Sequence, residues 1–197
     1  MDDPSGHAAE CDGDPGDTLM NALDGAHAHG ILTARLALIP ATAEALHADL
    51  AGGAALAAAL DVDVPDDWPP DLYDADAIHW TLRALERDPV AATWLGHYFV
   101  LRAIPPATAR PLLIGTGGFK GAPDATGTVE IGYSIVTSHR RQGFATEAAL
   151  GLLGYAFADA AVRRVTGETL PDLVASIGVM EKVGMRLVGA GSEAGVI

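Results

Sequence analysis

The 197-residue chain has a single cysteine, Cys11, which excludes an internal disulfide framework and any cysteine-based zinc site. It has no apolar run near the roughly 18 residues that a membrane span needs, so no transmembrane segment is expected. Bases are scarce. Twelve stand against 26 acids, for a formal net charge of -14. That balance argues against gripping nucleic acid or an anionic membrane through overall charge. Residues 1–30 hold no Lys or Arg and no apolar core stretch, so no secretory signal is expected there. What is present is 49% hydrophobic and 19% charged residues, enough for one domain with its own core. A soluble cytoplasmic domain is the expectation.

The charge is unevenly placed. Residues 1–30 carry seven acids and no base among Gly, Pro, Ser and His, a composition that reads as a disordered acidic tail. His7, His27 and His29 have no Cys partners and do not make a specific metal site, so no metal is expected. A second stretch, 61–76, adds seven aspartates without a base and is punctuated by Pro65, Pro69 and Pro70. The rest, within a domain spanning 31–197, is neutral, with 12 acids against 12 bases.

Along the chain, Arg35–Ile39 reads as a strand that stops at Pro40, and Thr42 as the cap of a helix through Leu50. The Ala-rich stretch at 51–60 reads as a further helix, broken from the previous one by Gly52 and Gly53. Ala75–Arg87 reads as a helix ended by Asp88-Pro89. Segments 93–103 and 111–120, separated by PPATAR, look like an antiparallel pair, and 128–136 adds a third strand. A helix begins near Gln142 with Ala149, Leu152, Leu153, Ala156 and Phe157 on one face. A short strand at Val162–Glu168, a helix at Asp172–Val183 and a last strand at Met185–Val188 follow. Trp94, Tyr98, Phe99 and Trp80 read mainly as core. The pattern predicts an α+β fold, a mixed and mostly antiparallel sheet with helices packed on it.

The informative joint is HRRQGFAT, residues 139–146. A strand feeds a loop with small residues at Gly143 and Ala145, and a helix N-terminus follows at once. The first-turn amides of a helix lack intrahelical partners and the dipole adds about half a positive charge, which makes a site for phosphate or pyrophosphate. Arg140 and Arg141 add cationic donors. The alternative is a Gly-containing helix start with two solvated arginines. Neither a Walker loop nor the dinucleotide fingerprint is present.

The string RRQGFA matches the Arg/Gln-x-x-Gly-x-Gly/Ala acetyl-CoA loop of the GNAT N-acetyltransferase superfamily. With LTARLALIP at 32–40 and the segments 113–157 and 163–189, the chain resembles that superfamily in several motifs of matching order and spacing. The closest resemblance is to the branch with ribosomal-protein N-terminal acetyltransferases. It implies a GNAT-like fold with helices on both faces, strand splay at the acetyl-CoA site and a curtailed C-terminal strand, since only GAGSEAGVI follows Val188. It implies acetyl-CoA as co-substrate, with pyrophosphate on the amides of Arg141, Gln142, Gly143, Phe144, Ala145 and Thr146. The pantetheine arm would lie on the strand edge at Ile135, Val136 and Thr137. The implied reaction is acetyl transfer to an amine by direct attack on the thioester. A lysine-like amine, with a pKa near ~10.4, must first lose a proton.

Glu130 is the candidate base on this reading; its alternative is a strand carboxylate paired with a neighbouring base. Ser176 keeps the family's small-residue position in the Asn-x-x-Ser/Ala motif and is the second catalytic candidate. Leu173 replaces the Asn, and Met180 stands where many members have an acidic Tyr. These departures leave open a non-catalytic acyl-CoA-binding module acting through a protein partner. Tyr155 reads as packing. The segment bordering the family's acceptor site is the acidic 61–76 loop, with Asp66, Asp67 and Asp71. The expected acceptor is therefore a peptide N-terminus or a small cationic amine, with a monomer or homodimer as the assembly.

Overall fold

The computed structural model describes residues 30–103, 110–192 and 195–197. The expected acidic tail, Gly30 apart, and most of the PPATAR turn lie outside them. The strand expected at Arg35–Ile39 is the second arm of a hairpin, β1 (Ile31–Leu32) with β2 (Leu36–Pro40). The turn closes through the Thr33 N–H on the Leu36 carbonyl, at 2.9 Å. Thr42 then caps α1 (Ala43–Ala51), its side chain accepting from the Ala45 N–H at 3.2 Å. Gly52, at φ +114°, breaks α1 from α2 (Gly53–Leu60). After the acidic loop, Asp74 caps α3 (Ala75–Arg87), which stops ahead of Pro89 because the residue before a proline is pushed out of helical geometry.

The remaining strands are β3 (Gly96–Leu101), β4 (Leu112–Phe119), β5 (Thr128–Ile135) and β6 (Arg164–Thr166). They stand in the order β1 to β6, antiparallel except for the parallel pair β5–β6. That parallel pair needs a crossover, and α4 (Phe144–Ala158) supplies it. Helix α5 (Val174–Lys182) follows β6.

Strand alternation then divides the core. Leu36, Leu38, Phe99, Ile131 and Ile135 pack on one face against Ala148, Ala149 and Leu152 of α4. Ala37, Ile39, Tyr98, Val100 and Leu113 pack on the other against α1, α2 and α3 through Leu46, Leu56, Ile78 and Leu82. Each fully buried large aliphatic side chain contributes about 1.5–3 kcal/mol. Helices therefore cover both faces, as the resemblance implies. The glycines of β4 serve this packing: a Cβ on Gly115 would stand 2.5 Å from the Ser134 carbonyl oxygen, and one on Gly117 2.5 Å from that of Gly132.

Several boundaries differ from the sequence reading. Helix α4 starts at Phe144, because Gly143 at φ +84° is still in the left-handed region. Its buried stripe is Phe144, Ala148, Ala149, Leu152 and Ala156, while Phe157 is 58% exposed despite its spacing. Trp80 is likewise exposed, whereas Trp94, Tyr98 and Phe99 are buried. Strand β6 has three residues, and Met185–Val188 is no strand; Leu187 and Val188 are exposed there instead of packing on the core. The C-terminal edge is curtailed to one bridge, in which Thr169 and Ile197 exchange two backbone bonds of 2.9 Å.

Candidate active site

Strand β5 has two unlike edges. On one side it pairs with β4 from Ile131 to Ile135, and the Val136 N–H continues the contact to the Ile114 carbonyl at 3.0 Å. On the other side, the ladder to β6 covers only Thr128–Glu130. Backbone groups of successive strand residues point to opposite sides, so those of Tyr133 and Ile135 face the gap where β6 has diverged. This is the splay that the resemblance implies. Of the three residues expected on the exposed edge, Val136 has its amide turned to β4, and the Ile135 carbonyl accepts from Arg140 Nε at 2.9 Å. Thr137 opens a single 3-10 turn, and its carbonyl accepts the Arg140 N–H at 3.3 Å.

Beyond that turn, Arg141 at φ +62° and Gly143 at φ +84° swing the chain into α4. Gly143 is the N-cap and offers no side-chain bond, so the first turn at Phe144, Ala145 and Thr146 has no side-chain cap. Arg141 and Gln142 are exposed. An open groove of about 640 Å³ lies beside them, walled by Thr33, Gly143, Thr146 and Lys182 among others. The chemistry of this corner suits an anion, and Lys182 adds a cation outside the loop motif.

An acid also sits in that first turn. Glu147 accepts from the Thr33 hydroxyl at 2.6 Å, the Arg35 N–H at 2.6 Å and Arg35 Nε at 2.7 Å. Burial pushes its carboxyl up, but these bonds outweigh it and hold Glu147 below the usual carboxylate range. The same Arg35 guanidinium donates to the Gln142 carbonyl at 3.2 Å and lies 4.2 Å over the centre of the Phe144 ring. Arg35 thus neutralises Glu147 and braces the loop.

On the opposite face of β5 stand Glu130, Gly132 and Ser134. Glu130 is half-buried and ion-paired with Lys120. The row Tyr98–Thr116–Ser134 crosses the sheet beside the row Gly96–Gly118–Gly132. A Cβ on Gly132 would meet nothing within 4 Å, so the surface between Glu130 and Ser134 is open.

The acidic loop lies along this face. The Ser134 hydroxyl donates to the Asp71 carbonyl at 2.8 Å, and Arg140 Nη2 donates to the Asp71 carboxylate at 2.8 Å. Asp67 accepts the Ser138 N–H at 2.8 Å and its hydroxyl at 3.0 Å. The Ser138 amide bond and then its hydroxyl hold the Asp67 carboxyl low, against slight burial. Behind the loop, Asp49 of α1 gathers Trp68 Nε1 at 2.8 Å, the Tyr73 hydroxyl at 2.9 Å and the Tyr98 hydroxyl at 3.0 Å. Burial first, and then the neighbouring Asp49 carboxylate, push both phenols up, so they remain neutral donors.

Ser176 lies on the other side of the gap. Its carbonyl accepts the Tyr133 hydroxyl at 3.3 Å, which ties α5 to β5, and burial pushes that hydroxyl up. Glu130 and Ser176 therefore stand on opposite faces of β5, not side by side. Tyr155 packs edge-on to Trp94, at 5.4 Å between ring centroids.

The acetyltransferase (GNAT) domain family model matches residues 35–186. The chain belongs to the GNAT acetyltransferase family. It is 39% identical over 75 residues to the uncharacterized N-acetyltransferase YjdG of Bacillus subtilis (strain 168), covering 38% of this chain and 45% of that one. The matched stretch thus spans under half the length of that relative. Among solved structures it is similar to a GNAT-family acetyltransferase from Bacillus anthracis, at a TM-score of 0.52 and 22% identity over 82% of this chain and 86% of that one. RimL, the ribosomal L7/L12 alpha-N-protein acetyltransferase in complex with coenzyme A, matches at a TM-score of 0.55 and 17% identity over 84% of this chain and 89% of that one. These likenesses place the GNAT fold on the six-stranded sheet. Among the described residues no group of His, Cys, Asp or Glu is arranged to hold a metal ion, and no helix is long and apolar enough to cross a membrane.

Motif reading reaches the GNAT loop itself but misses Arg35, Lys182 and Asp49. Arg35 and Glu147 are 112 positions apart, and neither has a local sequence signal that pairs them.

Proposed function

We propose that this GNAT chain transfers the acetyl group of acetyl-CoA to a primary amine, a peptide N-terminus or a small cationic amine, by direct attack on the thioester. One observation carries the proposal: β5 is paired on one edge only where it runs into a helix start without a side-chain cap. An extended, amide-bearing arm can complete the open edge as an added strand does, with its diphosphate at the N-terminus of α4. Loop residues 140–146 and, of the edge at 135–137, Ile135 and Thr137 are the proposed cofactor-binding residues, since the buried Val136 gives its amide to β4. RimL, a structure of similar fold, was solved in complex with coenzyme A, which supports acetyl-CoA as the co-substrate.

Acetyl-CoA supplies an activated acetyl carbonyl. The gap-facing N–H groups of β5 are fixed donors for the charge that grows on its oxygen, commonly a large part of catalysis. Glu130 is the proposed acceptor of the amine's proton, across the open surface above Gly132. As the new C–N bond forms and the C–S bond breaks, the proton passes through Glu130 to solvent and the sulfur leaves as thiolate. A free thiol has a pKa of about 8.5, so this departure needs a hydrogen-bond donor more than a full acid. Ser176, at the gap-side start of α5, is the proposed donor.

Free coenzyme A release, measured with a panel of amines, tests the proposal. Glu130→Gln is expected to lower kcat by about 100-fold or more while leaving acetyl-CoA affinity unchanged. Tight acetyl-CoA binding without turnover on any amine or peptide N-terminus would sink the enzyme reading and leave a non-catalytic acyl-CoA-binding module. No thermal shift with acetyl-CoA would sink both, since a ligand of the folded state must stabilise it.

A further inference from the structure

The acids of the 61–74 segment have different tasks. Asp61 and Asp63 face Arg110, and Asp74 caps α3. Asp67 is held by Ser138. Asp71 alone among them holds a cation of the proposed diphosphate loop, Arg140. That guanidinium therefore has two anionic claimants once acetyl-CoA is bound. It also covers the Ile135 carbonyl, an acceptor on the edge where the cofactor arm is proposed to pair.

We infer that Asp71 is a specificity-determining residue which the cofactor uncovers. When the diphosphate takes Arg140, the Asp71 carboxylate is left without its cation on the acceptor side of β5, and there it holds a positive charge of the amine substrate. The inference deepens the acetyltransferase reading and rests on the diphosphate lying at residues 140–146.

Two features keep Asp71 in place after Arg140 leaves. Its anchor is its backbone carbonyl on Ser134, not its side chain. Its neighbours are pinned too, Asp67 by Ser138 and Tyr73 by Asp49. Between these pins Leu72 is held at φ +63° and 81% exposed, a left-handed conformation that an apolar residue adopts only when its surroundings impose it. The carboxylate thus stays beside the open surface above Gly132. Charge selection follows from bookkeeping of one cation between two anions, and the acceptor's own charge replaces the one withdrawn.

The test uses the full chain with butylamine and 1,4-diaminobutane, acceptors of one length that differ by a second positive charge. Calorimetry with acetyl-CoA runs in parallel. The wild-type protein should show the lower KM for the diamine, with the advantage fading as salt rises. In Asp71→Asn the advantage should shrink by about two- to five-fold, the range of an exposed ion pair, while acetyl-CoA binds as tightly as before or tighter. Asp66→Asn, which removes the same charge from an exposed residue of the same loop, should keep the diamine advantage. Wild-type protein without a diamine advantage, or an Asp71→Asn variant that retains it or binds acetyl-CoA more weakly, overturns the inference. Loss of the advantage in both variants overturns it too, by reducing the effect to general charge. Failure of the wild-type protein to bind acetyl-CoA instead overturns the underlying reading.

Discussion

His97 shows how much a single side chain sets at this scale. It is 1% exposed, and its Nδ1 lies 3.0 Å from the Leu95 carbonyl, to which it donates in the neutral form. Burial pushes its pKa down from 6.5 to about 4, with the Leu95 bond opposing. The unfolded chain therefore takes up a proton from about pH 6.5 downward while the folded chain does not. Stability is full above that range and falls as pH drops toward 4, at most by about 1.4 kcal/mol per pH unit between pH 6 and 4.5. Urea denaturation across that window checks it; His97→Gln should lie lower at neutral pH but lose most of the slope. Single residues were legible where their partners are local. Thr42 bonds an amide three positions on and is readable as a cap. Asp49 is not, because Trp68, Tyr73 and Tyr98 meet it from 19, 24 and 49 positions away.

At the scale of elements, Asp49 is the joint that fastens α1, the 61–74 loop and β3 together. Asp49→Ala leaves the Tyr98 hydroxyl, on a residue fully buried beneath the loop, without its carboxylate. The expected loss is about 1–3 kcal/mol. Because the loop loses two anchors at once, limited proteolysis should cut within 61–74 well before the rest of the chain. A variant cut no faster than wild type would show that the loop is held elsewhere. Strands β3 to β5 and helix α3 were legible because period and turn residues agree with their packing. The start of α4 was not, because a left-handed Gly143 reads the same as a first helical residue. Nor was the absence of a strand at Met185–Val188, whose composition suits a strand but whose Leu187 and Val188 stay exposed. The candidate site divides the same way: its loop is a local motif, whereas its acidic companion comes from a distant loop whose bonds from Asp67 to Ser138 and from Asp71 to Arg140 have no local sequence signal.

The whole molecule carries a net charge of -14 yet gathers Arg35, Arg140, Arg141 and Lys182 around one corner against two paired carboxylates there, Glu147 and Asp71. An overall anion can therefore hold an anionic co-substrate, since what a bound ligand meets is the nearby charge and not the sum. The sheet also falls into two unequal parts. Five strands interlock from β1 to β5, and β6 with α5 joins them through a three-residue ladder, the Tyr133–Ser176 bond and the packing of Val165, Val179 and Val183 on the core beneath α4. A ligand in the gap would touch both parts and so report on the molecule as a whole. Its consequence is written in time as well as in space. Along one strand, the amides of Ser134 and Val136 are locked into the β4 ladder while those of Tyr133 and Ile135 face a missing neighbour. Deuterium uptake should therefore alternate residue by residue along β5, and acetyl-CoA should slow the fast members of the series and leave the slow ones as they are. A strand exchanging uniformly in both states would mean that the empty edge is not where the cofactor lies.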